Sequence, residues 1–256
     1  MALDFTGSTR RLDCGSGASL DNLDIGTRLV WAYPTDVTAT PPPHFMDKRG
    51  AGSTWRAFYM NTAVSAGQLA FQVARATAGL NARSAAGFVT VNEWQCLAAV
   101  YNVNGVDGDQ RLYRGTLVST LAEAPSYVTQ SVGNGASGDD SAGTQTVGNV
   151  TGIDNFNLDG LIAVVGIWNR VLSLNELIAQ QYRPRMTDGC VLLMHVGYHG
   201  TGTQVDYSGN GNHGTVTGAT LADHVPLGPP FGWVSGWRGA FKRGTILRQM
   251  MAHEAA

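Results

Sequence analysis

Residues 158–177 read LDGLIAVVGIWNRVLSLNEL, a stretch in which a strand pattern leads directly into the start of a helix. The run 159–168 is almost wholly apolar and rich in β-branched residues, which is typical of a strand that is buried on both faces. Residues 190–198, CVLLMHVGY, read in the same way. The outer faces of both strands must therefore be covered. Either the helix and the C-terminal tail cover them, or another protein does.

The helix that follows has a defined beginning and end. Ser173 is followed three residues later by Glu176, which is a capping box, and Leu172 and Leu177 are placed to form a hydrophobic staple. Pro184 predicts the end of the helix, because a proline inside a helix removes a backbone hydrogen bond. We therefore predict one short helix late in the chain.

The rest of the chain favours strands. Further segments rich in β-branched and aromatic residues, bounded by turn-forming residues, lie at 29–34, 54–61, 67–74, 93–103 and 111–120. The 256 residues include 33 glycines and only 14% charged residues, a composition unlike that of a helical bundle or a disordered chain. Many strands with one late helix predict an all-β, antiparallel β-sandwich of the jelly-roll type. The polar stretch 133–149 predicts a long loop of about 17 residues.

Several segments carry a family resemblance. ALDFTGSTRRLDCGSGASL (2–20), NEWQCLAAVYN (92–102), RLYRGTLV (111–118) and the stretch 158–177 resemble successive motifs of the laminin-G-like, concanavalin A-like jelly-roll family. The resemblance covers about residues 1–185 and implies that family's sandwich. The hairpin at 111–118 lacks the acidic residue that the family carries before its glycine. No ligand-binding role of that residue is therefore carried over.

One segment of the resemblance stands in an unusual place. Residues 190–220, CVLLMHVGYHGTGTQVDYSGNGNHGTVTGAT, resemble a segment that usually precedes the family's opening strands. We therefore predict a circularly permuted domain, 1–222, in which 190–222 supplies the strands that usually come first. Permutation is tolerated because the ends of such a domain lie close together. The alternative is that this segment begins a second domain, although about 30 residues cannot bury a sandwich core alone.

Residues 223–256 are predicted to form an extended C-terminal arm. Large aromatic side chains alternate there with basic ones, a composition typical of a docking element. The candidate docking residues are Phe231, Trp233, Trp237, Arg238, Phe241 and Arg243. The alternative is an arm that packs back onto its own sandwich. A net charge of −2 and a few basic residues in the arm argue against nucleic-acid binding.

The residues needed for catalysis on this fold are missing. Glycan-cleaving enzymes with the concanavalin A-like fold use paired carboxylates. The glutamates of this chain do not pair with another acid at strand spacing; they are Glu93, Glu123, Glu176 and Glu254. His195 and His199, if both lie on one strand, are about 13 Å apart, too far to share one metal ion. Nucleophile and phosphate-loop motifs are absent as well. We therefore predict that the protein is not an enzyme.

The candidate binding residues are few. Calcium is the usual ion of the family that the sequence resembles, and oxygen ligands for it are predicted in turns, at Asp107, Asp109, Asp139, Asp140 and Asp206. No other cofactor is predicted. Trp55, which follows a loop, is the best candidate for stacking on a sugar, with core packing as the alternative. Cys14, Cys96 and Cys190 are predicted to be buried free thiols.

The sequence predicts where the protein is made and what it does. No signal segment begins the chain, and no apolar run reaches the roughly 20 residues of a membrane helix. We therefore predict a product of the cytoplasm that does not enter a membrane. Similar modules occur in phage structural proteins. We expect a non-enzymatic capsid-decorating or head/tail surface protein that docks to virion proteins, and to itself, through its arm and apolar strands. The alternative is a lectin or adhesion module that binds polysaccharide, with or without calcium.

Overall fold

The computed structural model describes residues 1–50, 54–61, 66–152 and 155–225. Within these ranges, two eight-stranded antiparallel sheets pack against each other, and one α-helix, α1 (Leu174–Tyr182), lies on the outer side. The predicted all-β antiparallel sandwich with one short helix is confirmed.

Sheet A has the strand order β10-β9-β8-β3-β13-β1-β16, with β14 also paired to β13. Its strands are β1 (Ala2–Asp4), β3 (Ile25–Pro34), β8 (Gln95–Asn102), β9 (Arg111–Thr116), β10 (Ala122–Glu123), β13 (Gly160–Trp168), β14 (Cys190–His195) and β16 (Thr220–Ala222). Sheet B has the order β11-β7-β6-β5-β4-β12-β2-β15. Its strands are β2 (Arg11–Asp13), β4 (His44–Arg49), β5 (Trp55–Asn61), β6 (Gln68–Val73), β7 (Leu80–Ser84), β11 (Tyr127–Ser131), β12 (Thr144–Val147) and β15 (Thr215–Thr217).

The main core lies between the two sheets and follows from the period-two alternation of strand side chains. On β5, Phe58 and Met60 point into this core, whereas Ala57 and Tyr59 belong to a separate cluster on the other face. The rings of Phe71 and Tyr101 stack across the core with centroids 4.2 Å apart. The same alternation that fills the core therefore fixes which side chains sheet B presents outward.

Strand β13 is buried on both faces, as its sequence predicts. Ile162 and Val165 lie in the inter-sheet core, whereas Val164 and Trp168 lie in a second core with Leu177 of α1. All side chains of β14 are buried as well. The helix therefore supplies much of the cover from within the chain. The prediction that these apolar strands form a docking surface is wrong, because they present no exposed apolar face.

Helix α1 begins as its sequence predicts. The Ser173 hydroxyl accepts a hydrogen bond from the Glu176 backbone N–H at 3.4 Å, and the Ser173 backbone N–H donates to Glu176 Oε2 at 2.8 Å. The helix ends at Tyr182, before Pro184. Trp31 anchors it to sheet A by donating from Nε1 to the Gln181 carbonyl at 2.9 Å.

Strand β12 corrects the prediction of an uninterrupted loop at 133–149. Its residues Thr144–Val147 pair with both β2 and β4. The sequence TQTV predicts a loop because its polar residues fall on both faces of a strand. Gln145 is fully buried, and its Oε1 accepts a hydrogen bond from Arg28 Nη1 at 2.6 Å. A buried polar strand of this kind has no apolar period to reveal it.

Residues 190–222 add strands to both sheets. β14 pairs with β13, β15 pairs with β2, and β16 pairs with β1. The order relative to other family members, and with it the circular permutation, stays a prediction. In the part of the chain that the structure describes, no helix is both long and apolar enough to cross a membrane.

Candidate functional site

The outward face of sheet B assembles polar and aromatic side chains in two rows. Residues directly opposite each other on neighbouring strands share a face, so the strand register identifies each row. The first, which we call the Arg83 row, runs from β11 to β4 through Thr129, Arg83, Ala70, Tyr59 and His44. The second, the Asn81 row, runs through Ser131, Asn81, Gln72, Ala57 and Asp47. Five strands span about 19 Å, at about 4.8 Å between neighbours.

The middle of this face has an apolar floor. Ala57, Tyr59 and Ala70 form a small cluster apart from both larger cores, and the partly buried Trp55 packs against it. Ala57 on β5 and Ala70 on β6 add little volume to this face, whereas the rings of Tyr59 and Trp55 lie beside them. The structure thus places Trp55 on the outward face of sheet B rather than in the main core.

The β4 end of the face is internally satisfied. The His44 ring stacks on Tyr59 with centroids 5.1 Å apart, and its Nδ1 lies 3.0 Å from Asp47 Oδ2. Arg49 Nε lies 3.4 Å from Asp47 Oδ1. Burial raises the pKa of Asp47, but the hydrogen bond from His44 and the nearby Arg49 charge outweigh it and hold the pKa below its ordinary value. Asp47 is therefore an ionised, fully engaged carboxylate.

The β7 end of the face is not satisfied. Asn81 Oδ1 and Arg83 Nε are buried atoms that have no hydrogen-bond partner within the described residues. Burial raises the pKa of the nearby Tyr59 to about 12, and the Arg83 charge acts in the opposite direction. Tyr59 is therefore a neutral phenol at physiological pH. Buried polar atoms normally find partners, so these two atoms make the β7 end of the face a candidate for contact with a ligand.

The predicted calcium ligands do not come together. Asp140 is fully buried, forms an ion pair with Arg56 and accepts from the Asn22 backbone N–H at 2.7 Å. Asp139 accepts from Asn22 Nδ2 and from the Ser141 backbone N–H, both at 3.0 Å, and the bond from Ser141, with that from Asn22, lowers its pKa to about 2. Asp139 and Asp140 therefore stabilise the turn in which they lie through hydrogen bonds and an ion pair within the chain.

The other three aspartates accept hydrogen bonds from groups of the chain itself. Asp206 accepts from Leu193, Ser208 and Asn212 and thereby holds the glycine-rich stretch against β14. Asp107 accepts from the backbone N–H of Val132, and Asp109 accepts from that of Val106. Across the described ranges, no group of three or more His, Cys, Asp or Glu residues could hold a metal. Calcium takes six to eight oxygens, so the donor set does not fit this ion.

The remaining candidates are accounted for individually. Glu93 pairs with Arg114 at 2.8 Å, and Glu123 lies 3.5 Å from Arg111. Because β14 ends at His195, the expected placement of His195 and His199 on one strand is wrong, although no metal cluster forms there among the described residues. The three cysteines are buried free thiols, as predicted. The predicted docking residues lie outside the described residues; they are Phe231, Trp233, Trp237, Arg238, Phe241 and Arg243.

A shallow groove of about 370 Å³ lies on sheet A, between β8–β10 and the start of α1. Its lining includes Tyr113, Leu174 and the paired Arg111 and Glu123. It contains none of the buried side-chain atoms that lack a partner in the described structure. The outward face of sheet B is therefore the better candidate site.

Sequence reasoning identified Trp55 but missed Tyr59, Asn81 and Arg83. These residues become neighbours only through the register of β5, β6 and β7. A weak signal exists in β5 to β7, where large apolar residues alternate with small or polar ones. That alternation marks an outward face but does not say which strands lie side by side.

Known structures share the fold of this chain at low identity. A candidate carbohydrate-binding protein from Bacteroides ovatus ATCC 8483 is 14% identical with a TM-score of 0.58, covering 89% of this chain and 61% of its own. This chain thus spans about three fifths of that structure's length. The CBM40 of Ruminococcus gnavus IT-sialidase bound to α2,3-sialyllactose is 14% identical with a TM-score of 0.44, covering 70% of this chain and 95% of its own. Tailspike protein 2 from the Escherichia coli O157:H7 bacteriophage CAB120 is 11% identical with a TM-score of 0.45, covering 71% of this chain and 24% of its own.

No curated protein matches the sequence. The family model described as the concanavalin A-like lectin/glucanases superfamily, laminin-G type, matches residues 6–178. This range is more than half of the chain and includes every strand that contributes to the two rows of sheet B. The chain therefore belongs to the concanavalin A-like lectin/glucanase superfamily.

Proposed function

We propose that the protein is a non-enzymatic carbohydrate-binding module that holds a glycan on the outward face of sheet B. The observation that carries this proposal is the combination, on one face, of an aromatic and alanine floor with the orphaned polar atoms of Asn81 and Arg83. The fold that the chain shares with the candidate carbohydrate-binding protein from Bacteroides ovatus supports it. Binding sites of this kind join apolar contact area to a few placed polar groups.

The chemistry of a sugar ring matches this division. A pyranose has apolar C–H faces and a rim of hydroxyl groups. The partly buried Trp55, which packs beside Tyr59, offers a ring face for the former, because aromatic side chains combine a large apolar surface with fixed geometry. Gln72 and Asn81 offer amides for the latter, since an amide both donates and accepts. A face about 19 Å across five strands has room for several linked sugars.

The same face argues against hydrolysis. A glycosidase places two carboxyl groups on either side of the scissile bond. Asp47 is the one acid in the Arg83 and Asn81 rows, and both of its oxygens are engaged by His44 and Arg49. We therefore propose binding without turnover.

The test is a binding measurement with matched tryptophan variants. We expect the purified protein to bind members of a glycan array, and Trp55→Ala to weaken that binding about tenfold, the loss of roughly 1.4 kcal/mol of aromatic contact. Trp94→Ala is the control, because Trp94 is also partly buried but packs against Tyr33 on sheet A. Binding of no glycan, or equal losses in both variants, would contradict the proposal.

A second proposed function is a place on the surface of a phage particle, in the capsid or the tail. Its support is the aromatic and basic composition of residues 223–256, which is typical of a docking segment. The two functions are compatible, because a surface protein can also adhere to polysaccharide. A chain ending at Val225 should fold but fail to join particles. Incorporation equal to that of the full chain would contradict docking through this segment.

A further inference from the structure

The Arg83 side chain has an unusual position for a cation. In the Arg83 row it lies opposite Thr129 on β11 and Ala70 on β6, and neither neighbour carries a charge. Its Nε is buried without a partner in the described part of the chain. Arg49, by contrast, lies beside Asp47. A buried N–H group that has no partner is costly, so the Nε–H of Arg83 is a candidate donor to a ligand.

The charge balance of the face indicates the sign of that ligand. The two rows contain one acid, Asp47, which is already shared by His44 and Arg49. The charge of Arg83 is therefore not compensated within the rows. An anion placed beside Arg83 gains its attraction without competing with a protein carboxylate. The hydroxyl groups of a neutral sugar can accept hydrogen bonds from the guanidinium, but they leave its charge uncompensated.

We propose that the glycan is acidic, and that Arg83 binds the carboxylate of a uronic or sialic acid unit. This inference rests on the proposed function. The Nε–H and Nη–H groups of arginine form a planar fork that matches the two oxygens of a carboxylate, which a lysine ammonium does not. The partial burial of Nε strengthens the pair, because electrostatic attraction grows as water is excluded.

The neighbours of Arg83 extend the recognition to the rest of the sugar. Ala70 lies between Arg83 and Tyr59 in the row and is fully buried, so it belongs to the apolar floor that the two polar side chains flank. The neutral Tyr59 hydroxyl can donate to the same carboxylate or to the ring oxygen. Asn81 lies two residues along the strand, about 6.6 Å away, and its orphaned Oδ1 accepts from a hydroxyl of the same unit.

The experiment compares acidic glycans with neutral counterparts by titration calorimetry. Oligogalacturonate and its methyl ester differ in the charge of the carboxyl groups and by one methyl group on each, and sialyllactose and lactose, which differ by the sialic acid unit, test the other class of sugar acid. We expect the acidic member of at least one pair to bind about tenfold more tightly, as one charge-assisted hydrogen-bonded pair supplies. The pair that shows the preference distinguishes uronic from sialic acid.

Variants assign the preference to the guanidinium. Arg83→Met should remove the preference while neutral glycans still bind, and Arg83→Lys should retain only part of it because the fork is lost. Arg111→Met is the control, since Arg111 is an exposed arginine on sheet A. Glycan binding with no acid preference, or a preference that survives in Arg83→Met, would overturn this inference and leave the proposed function standing. Binding of no glycan would overturn both.

Discussion

Arg83 and Tyr59 stand on either side of Ala70 in one row of sheet B, so a cation and a neutral phenol flank one buried alanine. Ala70 therefore lies at the centre of the candidate site. A larger side chain at this position tests the site without removing any polar group.

Ala70→Val should weaken glycan binding strongly while the fold persists. Because Ala70 is already fully buried, the two added methyl groups must displace the side chains that pack on it, whereas valine itself favours the strand conformation. Calorimetric titration measures the binding, and circular dichroism checks the fold. Ala86→Val, at an exposed loop position, is the matched control. Unchanged affinity in folded Ala70→Val would show that the ligand does not contact this part of the face.

The buried ion pair between Arg56 and Asp140 should contribute strongly to stability. Asp140→Asn leaves the Arg56 charge buried without its main partner, and the free energy of unfolding should fall by about 3–5 kcal/mol. Asp24 is the internal control. It lies 2.9 Å from Arg56 Nη2, but 41% of its side chain is exposed. Asp24→Asn should therefore cost about 1 kcal/mol or less. Equal losses in urea denaturation would contradict this ranking.

Removal of the capping box should destabilise helix α1. Ser173→Ala eliminates the hydroxyl that accepts from the Glu176 backbone N–H, and we expect a loss of about 1 kcal/mol in the free energy of unfolding. Ser173→Asp retains a cap and should restore most of it. Because α1 covers the outer side of sheet A, the loss should appear in the global unfolding transition. A loss confined to helical signal would contradict that coupling.

His195 should make the protein sensitive to mild acid. Burial, together with the charges of His224 and the terminal amine, lowers its pKa from 6.5 to about 4. As the pH falls from about 6.5 to 4, the unfolded chain takes up this proton before the folded chain does, so stability decreases across that window and not above it. His195→Leu should flatten the pH dependence of the unfolding midpoint.

The exposed His199 provides the control for this measurement, since His199→Leu should keep the slope of the unmodified protein. A smaller slope remains in His195→Leu because burial also lowers the pKa of His224. Glu176, whose pKa is lowered to about 2 by the hydrogen bond from Arg170, affects stability only between about pH 4.5 and 2. An unchanged slope in His195→Leu above pH 4.5 would refute the prediction.

Apolar patterning made part of this fold predictable. Strand β13, helix α1 and its cap were predicted because their signals are local in sequence. Strands β4 and β12 were missed because buried polar side chains break the period. Lys48 on β4, for example, is fully buried, and its Nζ lies 2.6 Å from Asp21 Oδ1. The period of apolar residues does not predict such an ion pair.

The candidate site was less predictable than the fold. Trp55 was found because a lone tryptophan after a loop is conspicuous. Arg83 and Tyr59 became candidates only once the pairing of β5, β6 and β7 placed them in one row. The aspartates of 107–109 and 139–140 resembled metal ligands because carboxylates that hold turns and carboxylates that hold ions have the same sequence pattern. Their hydrogen bonds to backbone N–H groups distinguish the two.

Strands β1 and β2 are each enclosed between partners that are synthesised much later. β1 lies between β13 and β16, and β2 lies between β12 and β15, so every neighbour of these strands comes from residues 144–222. During synthesis on the ribosome, β1 and β2 have no strand to pair with until more than half of the chain has emerged, so Leu3 and Leu12 stay unburied until then. A nascent chain that stalls before β12 should therefore bind chaperones, because neither sheet can close around its first strands.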